Sequence, residues 1–459
     1  MKSLSLLCDK NPLLALKMQR VEPVSQELSE WDYILDDSDV LFAYGALDGS
    51  LYSKIRPWLH AKQDRHLIWI AVDPVDAWGF SGLEDEKVTH CTIEESEVLK
   101  TAVWKTVLLK SSWAVPKHLQ APKGLVDELR GGIKLLLYKA RHFGKKELEN
   151  VLENLGDVQV PEFHQLNQIP AVICGSGPSL DAELLKNFEQ KAFLFAGGSA
   201  LGKLLAQGIN PYFGAGVDVD PGQIVVNGAQ AFFYTDRFSF RLAQSVQGAK
   251  FYMRSTDELP IEEWMLDQLG MDFPKLDLGW SVGCATAALA VVMGCDPIVF
   301  YGMDLADPKD KIEVTDKWGN PARSREDLIM SARWLSELIR KNPDRTWIDA
   351  TPCGLEIQGA RKQTLSELDF EERRLEMPAY KNISINAEPL KQKVKASLAA
   401  CQKLCVEKSP AAVYELECEV FYLHHLKPLW QLFRPLLFKG GDEKMQAMLF
   451  FERVLKAYE

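Results

Sequence analysis

The strongest constraint on this chain is an alternation. From residue 169 to residue 349, short apolar runs of strand length take turns with stretches of helical period. Strands are expected at Ile169–Cys174, Ala192–Ala196, Tyr212–Val217, Ala231–Tyr234, Lys250–Met253, Pro297–Phe300 and Thr346–Asp349. Helices are expected at Ser199–Gln207, Ser281–Met293 and Ser324–Arg340, the last opened by a capping-box-like Ser324-x-x-Asp327. Such alternation implies a mostly parallel sheet covered by helices. The fold class expected is α/β: a Rossmann-like parallel-sheet core domain, preceded by a second, smaller α/β domain and followed by a helical bundle.

The expected boundaries are 1–155, 159–378 and 379–459. In the first part, the strand Val40–Tyr44, the turn Gly45–Gly49, a helix through Leu59, the strand His66–Val72 and Asp73 resemble half of a dinucleotide or S-adenosylmethionine fold. The spacing Gly45-x-x-x-Gly49 is too loose to cradle a pyrophosphate, so no tightly bound cofactor is expected there. Residues 125–155 read as a charged helical connector. After Pro378, Leu390, Val394, Leu398, Cys401 and Cys405 mark one amphipathic helix, and Met445, Met448, Phe451, Leu455 and Tyr458 another. Phe421, Tyr422, Trp430 and Phe433 are expected to pack a core there.

A chain of 459 residues is too long for one ordinary core. With 47% hydrophobic and 25% charged residues it has the balance of a soluble globular protein. No apolar run reaches the ~20 residues of a membrane span, and the start, Met1–Lys17, lacks the pattern of a signal peptide. Nine cysteines without paired spacing imply reduced thiols and a cytoplasmic location. A net charge of −11 disfavours general nucleic-acid binding but leaves room for a local basic pocket.

The feature richest in chemistry is Cys174-Gly175-Ser176-Gly177-Pro178-Ser179-Leu180. A buried strand enters a turn with two glycines, then a helix expected to begin near Ser179. Absent Cβ atoms let phosphate oxygens approach the backbone, and a helix start offers free N–H groups. Pro178 suits a first helical turn, and Ser179 could cap the helix or donate to phosphate. A purely structural strand-to-helix turn is the alternative. Gly197-Gly198-Ser199-Ala200 follows the next strand, and Asp218-Val219-Asp220 the one after. Asp218 and Asp220 could bind Mg²⁺ and, through it, a diphosphate, or cap the turn at Pro221-Gly222. Ser281-Val282-Gly283 opens an apolar helix whose start, if buried, could take a substrate anion; Ser281 as a plain N-cap is the alternative. Asp304, just past a strand, could act as general base or metal ligand. The loop from Asp307 to Ala322 is long enough for a lid. Gly175, Ser199, Asp218, Ser281 and Asp304 are expected to line one crevice at the carboxyl ends of the strands.

No histidine lies between His164 and His424. A histidine-based relay within the core domain is therefore excluded, and Cys174 and Cys284 sit in apolar runs that make poor nucleophile sites.

Taken in order, these motifs resemble a known family. Gly175–Leu180, Ala196–Leu201, Gly208-Ile209-Asn210-Pro211 leading to Asp218, Ser281-Val282, Gly302–Ala306, Ala350-Thr351 and Gly354–Gly359 resemble the 6-hydroxymethylpterin diphosphokinase-like (MptE-like) domain, over about 200 residues. The three-part layout is similar to that of bacterial motor accessory factor (Maf) proteins, which place nonulosonic sugars on flagellin. The loop is also similar to the Gly-Asn-Gly-Pro-Ser loop of sialyltransferases that use CMP-sugars, with Ser176 in place of Asn. Those enzymes use a histidine base that the core here lacks, so their mechanism does not carry over. The resemblance implies a nucleotide-dependent transferase. One expectation is a glycosyltransferase-like protein using a CMP-activated sugar with a protein or glycan acceptor. A second is diphosphate transfer from ATP with Mg²⁺ to a pterin-like alcohol. A third is a non-catalytic nucleotide-binding or assembly protein. Gly175, Ser176, Gly177, Pro178, Ser179, Gly198, Ser199 and Ser281 would hold the nucleotide. Asp218 and Asp304 would act on acceptor or metal, with Asp220 beside Asp218 on a metal.

Overall fold

The computed structural model describes residues 30–35, 37–45, 50–72, 85–93, 96–107, 109–142, 144–162, 168–222, 224–256, 258–437 and 441–458. Gly49, Asp73, His164 and the first segment, Met1–Lys17, lie outside the described residues. The chain divides into two compact units: Met1–Tyr138 with Trp430–Gln446, and Lys139–Leu429 with Ala447–Glu459. This division differs from boundaries at 155 and 378. The second half of the charged connector clusters with the core unit, and the helices after residue 378 are shared out between the two units.

The first unit holds the sheet β1-β5-β2-β3-β4, formed by β1 (Trp31–Tyr33), β2 (Val40–Tyr44), β3 (His66–Ala71), β4 (Val88–Thr92) and β5 (Ser111–Pro116). All neighbours are parallel except β1 on β5. Side chains alternate along β2. Leu41 and Ala43 pack with Leu51, Ile55 and Leu59 of α1 (Ser50–Ala61), whereas Val40 and Phe42 face Leu99, Ala102 and Val103 of α2 (Ser96–Thr106). A strand with period-two side chains that are apolar on both sides has to be covered on both faces. Helix α3 (Lys123–His142) then leads to α4 (Gly144–Asn154).

The second unit is built on one long sheet. Its strands are β6 (Val158–Pro161), β7 (Ala171–Cys174), β8 (Phe193–Gly197), β9 (Phe213–Gly216), β10 (Ala231–Thr235), β11 (Ala249–Ser255), β12 (Lys275–Leu276) and β13 (Ile298–Tyr301). It also includes β16 (Trp347–Asp349), β17 (Arg361–Lys362) and β18 (Tyr380–Ile383). The order is β17-β16-β13-β7-β8-β9-β10-β11-β6-β18, with β12 added on β11. Pairing is parallel throughout except at the edge, where β18 runs antiparallel to β6. A separate hairpin joins β14 (Ile312–Thr315) and β15 (Pro321–Ser324).

The helices of this unit are α5 (Ser199–Ala206), α6 (Phe240–Ser245), α7 (Pro260–Gln268), α8 (Val282–Val292) and α9 (Glu326–Lys341). Phe195, Phe213, Phe233 and Phe251 form a ladder across four strands, with successive ring centroids 4.9, 5.5 and 5.2 Å apart. The small residues of α8, buried without a break from Cys284 to Ala290, pack against it. Broad aromatic side chains on the sheet are matched by a slim helix above them, which lets the layer close. The C-terminal region supplies α10 (Glu388–Glu407), α11 (Pro410–Leu416), α12 (Lys427–Leu437) and α13 (Glu443–Leu455). It is helical, as the periodicity predicts, with Phe421, Trp430, Phe433, Met448 and Phe451 buried.

Two local expectations change. Ser324 does not cap α9. Its Oγ donates to Leu305 O at 2.8 Å, and Arg325 takes the N-cap position. The presumed lid from Asp307 to Ala322 folds largely into the β14–β15 hairpin.

Candidate functional site

In an open parallel sheet the carboxyl ends of the strands form the natural crevice. Four neighbouring strands, β13, β7, β8 and β9, deliver the singled-out residues there in turn. β13 ends at Tyr301 and leads to Asp304, β7 to Gly175, β8 to Gly198 and Ser199, and β9 to Asp218. The start of α8 joins them. A Cβ placed on Gly197 would lie 2.3 Å from Val282 Cγ2, and one on Gly283 would lie 2.8 Å from Met303 Cε.

The glycine loop is built differently from a helix-start cradle. The turn after β7 does not enter a helix at Ser179. A short 3₁₀ helix begins only at Ala182, capped by Asp181, whose Oδ1 accepts from Glu183 N at 3.0 Å. Gly175 N and Gly177 N donate to Tyr301 O and Gly302 O at 2.8 and 2.9 Å. A Cβ on Gly175 would fall 2.2 Å from Gly302 O, and one on Gly177 would fall 1.8 Å from Asp304 Oδ2. Both glycines are thus required by the close approach of the 302–304 loop. Ser179 neither caps nor points to an open helix end. Its Oγ donates to Asp304 Oδ2 at 2.7 Å. Ser176 and Pro178 are exposed, and Ser176 O accepts from Lys203 Nζ of α5.

Asp304 is the organising side chain, 2% exposed. While Ser179 holds Oδ2, the Cys353 thiol donates to Oδ1 at 3.2 Å, and Asp304 O accepts from Leu355 N at 2.8 Å. Burial, reinforced by the bond to Asp304, pushes the Cys353 thiol up to about 11, so it remains a donor. Thr351 Oγ1 accepts from Met303 N at 3.1 Å. Cys353 and Thr351 follow β16, and sequence reasoning did not single out Cys353. Its place beside Gly354 was the available signal, because that glycine has φ +97° and a Cβ there would fall 2.0 Å from Asp304 O.

Beside Asp304 lies a cavity of about 860 Å³ whose lining includes Pro178, Asp307, Glu313, Asp316 and Arg323. The β14–β15 hairpin forms one wall. Its turn is anchored by Lys317, whose buried ammonium pairs with Asp349 and donates to Thr351 O at 2.9 Å. Trp318 Nε1 donates to Pro352 O at 2.8 Å.

On the other side of the glycine loop the character changes. Gly198, at φ +53°, is the N-cap of α5, makes no side-chain cap bond and is followed by Ser199. Ser281 caps α8, its Oγ accepting from Cys284 N at 3.3 Å, and residues 281–283 are half-buried. Asp218 is exposed, and its carbonyl accepts from Ser239 N at 3.4 Å. Asp220 is exposed too, and its carboxylate pairs with Lys146. Among the described residues no group of three or more His, Cys, Asp or Glu side chains is arranged to hold a metal. Burial pushes Cys174 up to about 12 and raises Cys284, so neither thiol is primed as a nucleophile.

Residues 146–310 match the family model described as 6-hydroxymethylpterin diphosphokinase MptE-like. Among solved structures, the Maf glycosyltransferase from Magnetospirillum magneticum AMB-1 is similar at a TM-score of 0.56 and 12% identity, over 100% of this chain and 89% of that one. At that identity the likeness is one of fold. No curated protein matches in sequence. Among the described residues no helix is long and apolar enough to cross a membrane. Residues 146–310 thus carry an MptE-like domain, in a chain that shares its fold with a Maf glycosyltransferase.

Proposed function

We propose that this protein is a nucleotide-dependent transferase of the glycosyltransferase-like kind, taking a CMP-activated sugar and passing it to a protein or glycan hydroxyl. The observation that carries this reading is the contrast across the glycine loop. On one side lie Lys203 and the starts of α5 and α8, where free N–H groups and the helix dipoles favour a phosphate. On the other lies a cavity whose acidic lining repels one. The nucleotide phosphate would rest against Gly198, Ser199 and the outer face of Ser176–Gly177, with Ser281 at the start of α8 alongside. Asp304 would fix Ser179 and the loop rather than meet the phosphate. Asp218, exposed at the next strand end, would orient the acceptor hydroxyl. No protein-held metal is needed for these roles.

The family description favours one competing reading, diphosphate transfer from ATP with Mg²⁺ to a pterin-like alcohol. Calorimetric titration with CMP, CMP-sugars and ATP with Mg²⁺ separates the two. Heat with the CMP compounds alone is the expected result. Saturable binding of ATP with Mg²⁺ and none of CMP would replace the first reading with the second. Silence with every nucleotide would leave a non-catalytic assembly protein.

A further inference from the structure

Past Asp218 the same sheet ends in a buried polar corner with too many acids. Asp236 follows β10 and is fully buried, Glu262 lies on α7 at 1% exposure, and Glu147 lies on α4 at 2%. Arg237 is the cation among them, 3.3 Å from Glu147 and 3.9 Å from Glu262. Arg254 of β11 is committed elsewhere, to a two-pronged pair with Glu258 at 2.9 and 2.7 Å, which Lys275 joins at 3.3 Å. Among the described residues, Tyr234 of β10, Tyr252 of β11 and Tyr458, bonded to His425, also face the corner. Asp236 Oδ1 accepts from Arg237 N at 2.9 Å, but among the described residues Asp236 Oδ2, Glu262 Oε1, Tyr252 OH and Thr235 Oγ1 have no hydrogen-bond partner. A buried carboxylate in excess of its cations has to be neutralised. With an oxygen left unmet in a buried setting, the protonated form of such an acid is favoured.

The corner is also where the Asp218 loop is held. Asn150 Nδ2 of α4 donates to Val219 O and Arg237 O at 2.9 and 3.0 Å. One turn later Asn154 Nδ2 donates to Asp236 O and Phe238 O, both at 2.7 Å. Asn150 Oδ1 accepts from Phe240 N at 3.2 Å, and Ser239 N donates to Asp218 O. Phe238 packs over Gly216, where a Cβ would fall 2.4 Å from its ring.

We propose that protons on the Asp236–Glu262 corner are a switch for the Asp218 end of the sheet. While the acids are neutral, α4, the 236–240 loop and α7 stay locked. When they ionise, repulsion among Asp236, Glu262 and Glu147 loosens the clamp that α4 places on residues 219–240.

The direction follows from burial. Asp236 is pushed up to about 7, first by burial and then by Glu258 and Glu147, and only partly offset by Arg237. Glu262 is raised by burial and by Asp236. An acid that holds its proton more tightly folded than unfolded stabilises the fold fully below the unfolded value. That stabilisation is lost as pH rises through the folded value, here around neutrality.

The test uses the full chain, without nucleotide, between about pH 6 and about pH 9. The melting temperature should fall across this range. Amide exchange, corrected for its intrinsic pH dependence, should rise in α4 and residues 219–240 but not in β7 or β13. An infrared band of a protonated carboxyl should be present at the lower pH and absent at the higher. Asp236→Asn should flatten the pH slope. If that variant does not fold, Glu262→Gln and the parent's own infrared band decide the matter. A parent with a level melting temperature, or with no protonated-carboxyl band at the lower pH, overturns the proposal. Because no readout involves a ligand, these results are independent of the transferase reading.

Discussion

Two strand ends of one sheet treat a buried aspartate in opposite ways. Asp304, past β13, has each carboxylate oxygen met by a side-chain donor, Ser179 on one and Cys353 on the other. Asp236, past β10, has one oxygen met by a backbone N–H and the other, among the described residues, by nothing. Both are buried in the same unit, so depth does not separate them. Partners do. A charge-assisted bond is worth roughly twice a neutral one, and an unmet buried acceptor costs about 1–3 kcal/mol. Asp304 is therefore held in place by two side-chain donors, whereas Asp236 is left with one oxygen that no group meets among the described residues.

The comparison can be broken most forcefully at Gly177. Gly177→Val would drive a branched side chain into the Asp304 carboxylate and Gly302 O, which have no room to yield. A loss of about 3 kcal/mol, the upper end for overpacking, is expected in denaturant unfolding. A variant as stable as the parent would mean that the loop contact holds nothing. The clearer discrimination comes from one substitution made twice. Asp304→Asn removes the charge that Ser179 and Cys353 address and should cost about 1.5 kcal/mol at neutral pH. Asp236→Asn removes a charge without a full set of partners and should raise stability relative to the parent at pH 9. Like signs for the two would abolish the distinction. The smallest effects belong to the hydroxyls. Ser179→Ala loses one bond, about 0.5–1.5 kcal/mol, whereas Thr235→Val removes an unmet Oγ1 and should be neutral or slightly stabilising by thermal melts.

The sequence was most informative where order is local. The apolar run Ala171–Cys174, the small-residue helix after Ser281 and the turn glycines each carry their structure within a few positions, and the expected strands and helices of 169–349 lie within a residue or two of those observed. The helix start after the glycine loop was misjudged because Ser179 and Asp181 are both competent N-caps. What favours Asp181 is the capture of Ser179 by a carboxylate 125 positions away, and no local pattern encodes that distance. Cys353 stayed unnoticed because its partner Asp304 lies 49 positions away, and the neighbouring Gly354 signals a close approach without naming what approaches. The Asp236 corner is hidden twice over. Its acids are scattered on α4, the loop after β10 and α7, and a buried acid looks like an exposed one until the tertiary fold closes over it. The pair Asn150 and Asn154, four apart on α4, was a readable hint, since spacing of this kind puts two amides on one face.

The anchored hairpin has a consequence for recognition. Lys317 is sunk beneath the turn of β14 and β15, its ammonium satisfied by Asp349 and by Thr351 O. The wall beside Asp304 is therefore preorganised, and a guest entering the cavity has little wall motion to arrest, so less of its contact energy is lost to ordering. Selectivity in such a pocket comes from shape and from the spacing of fixed acceptors.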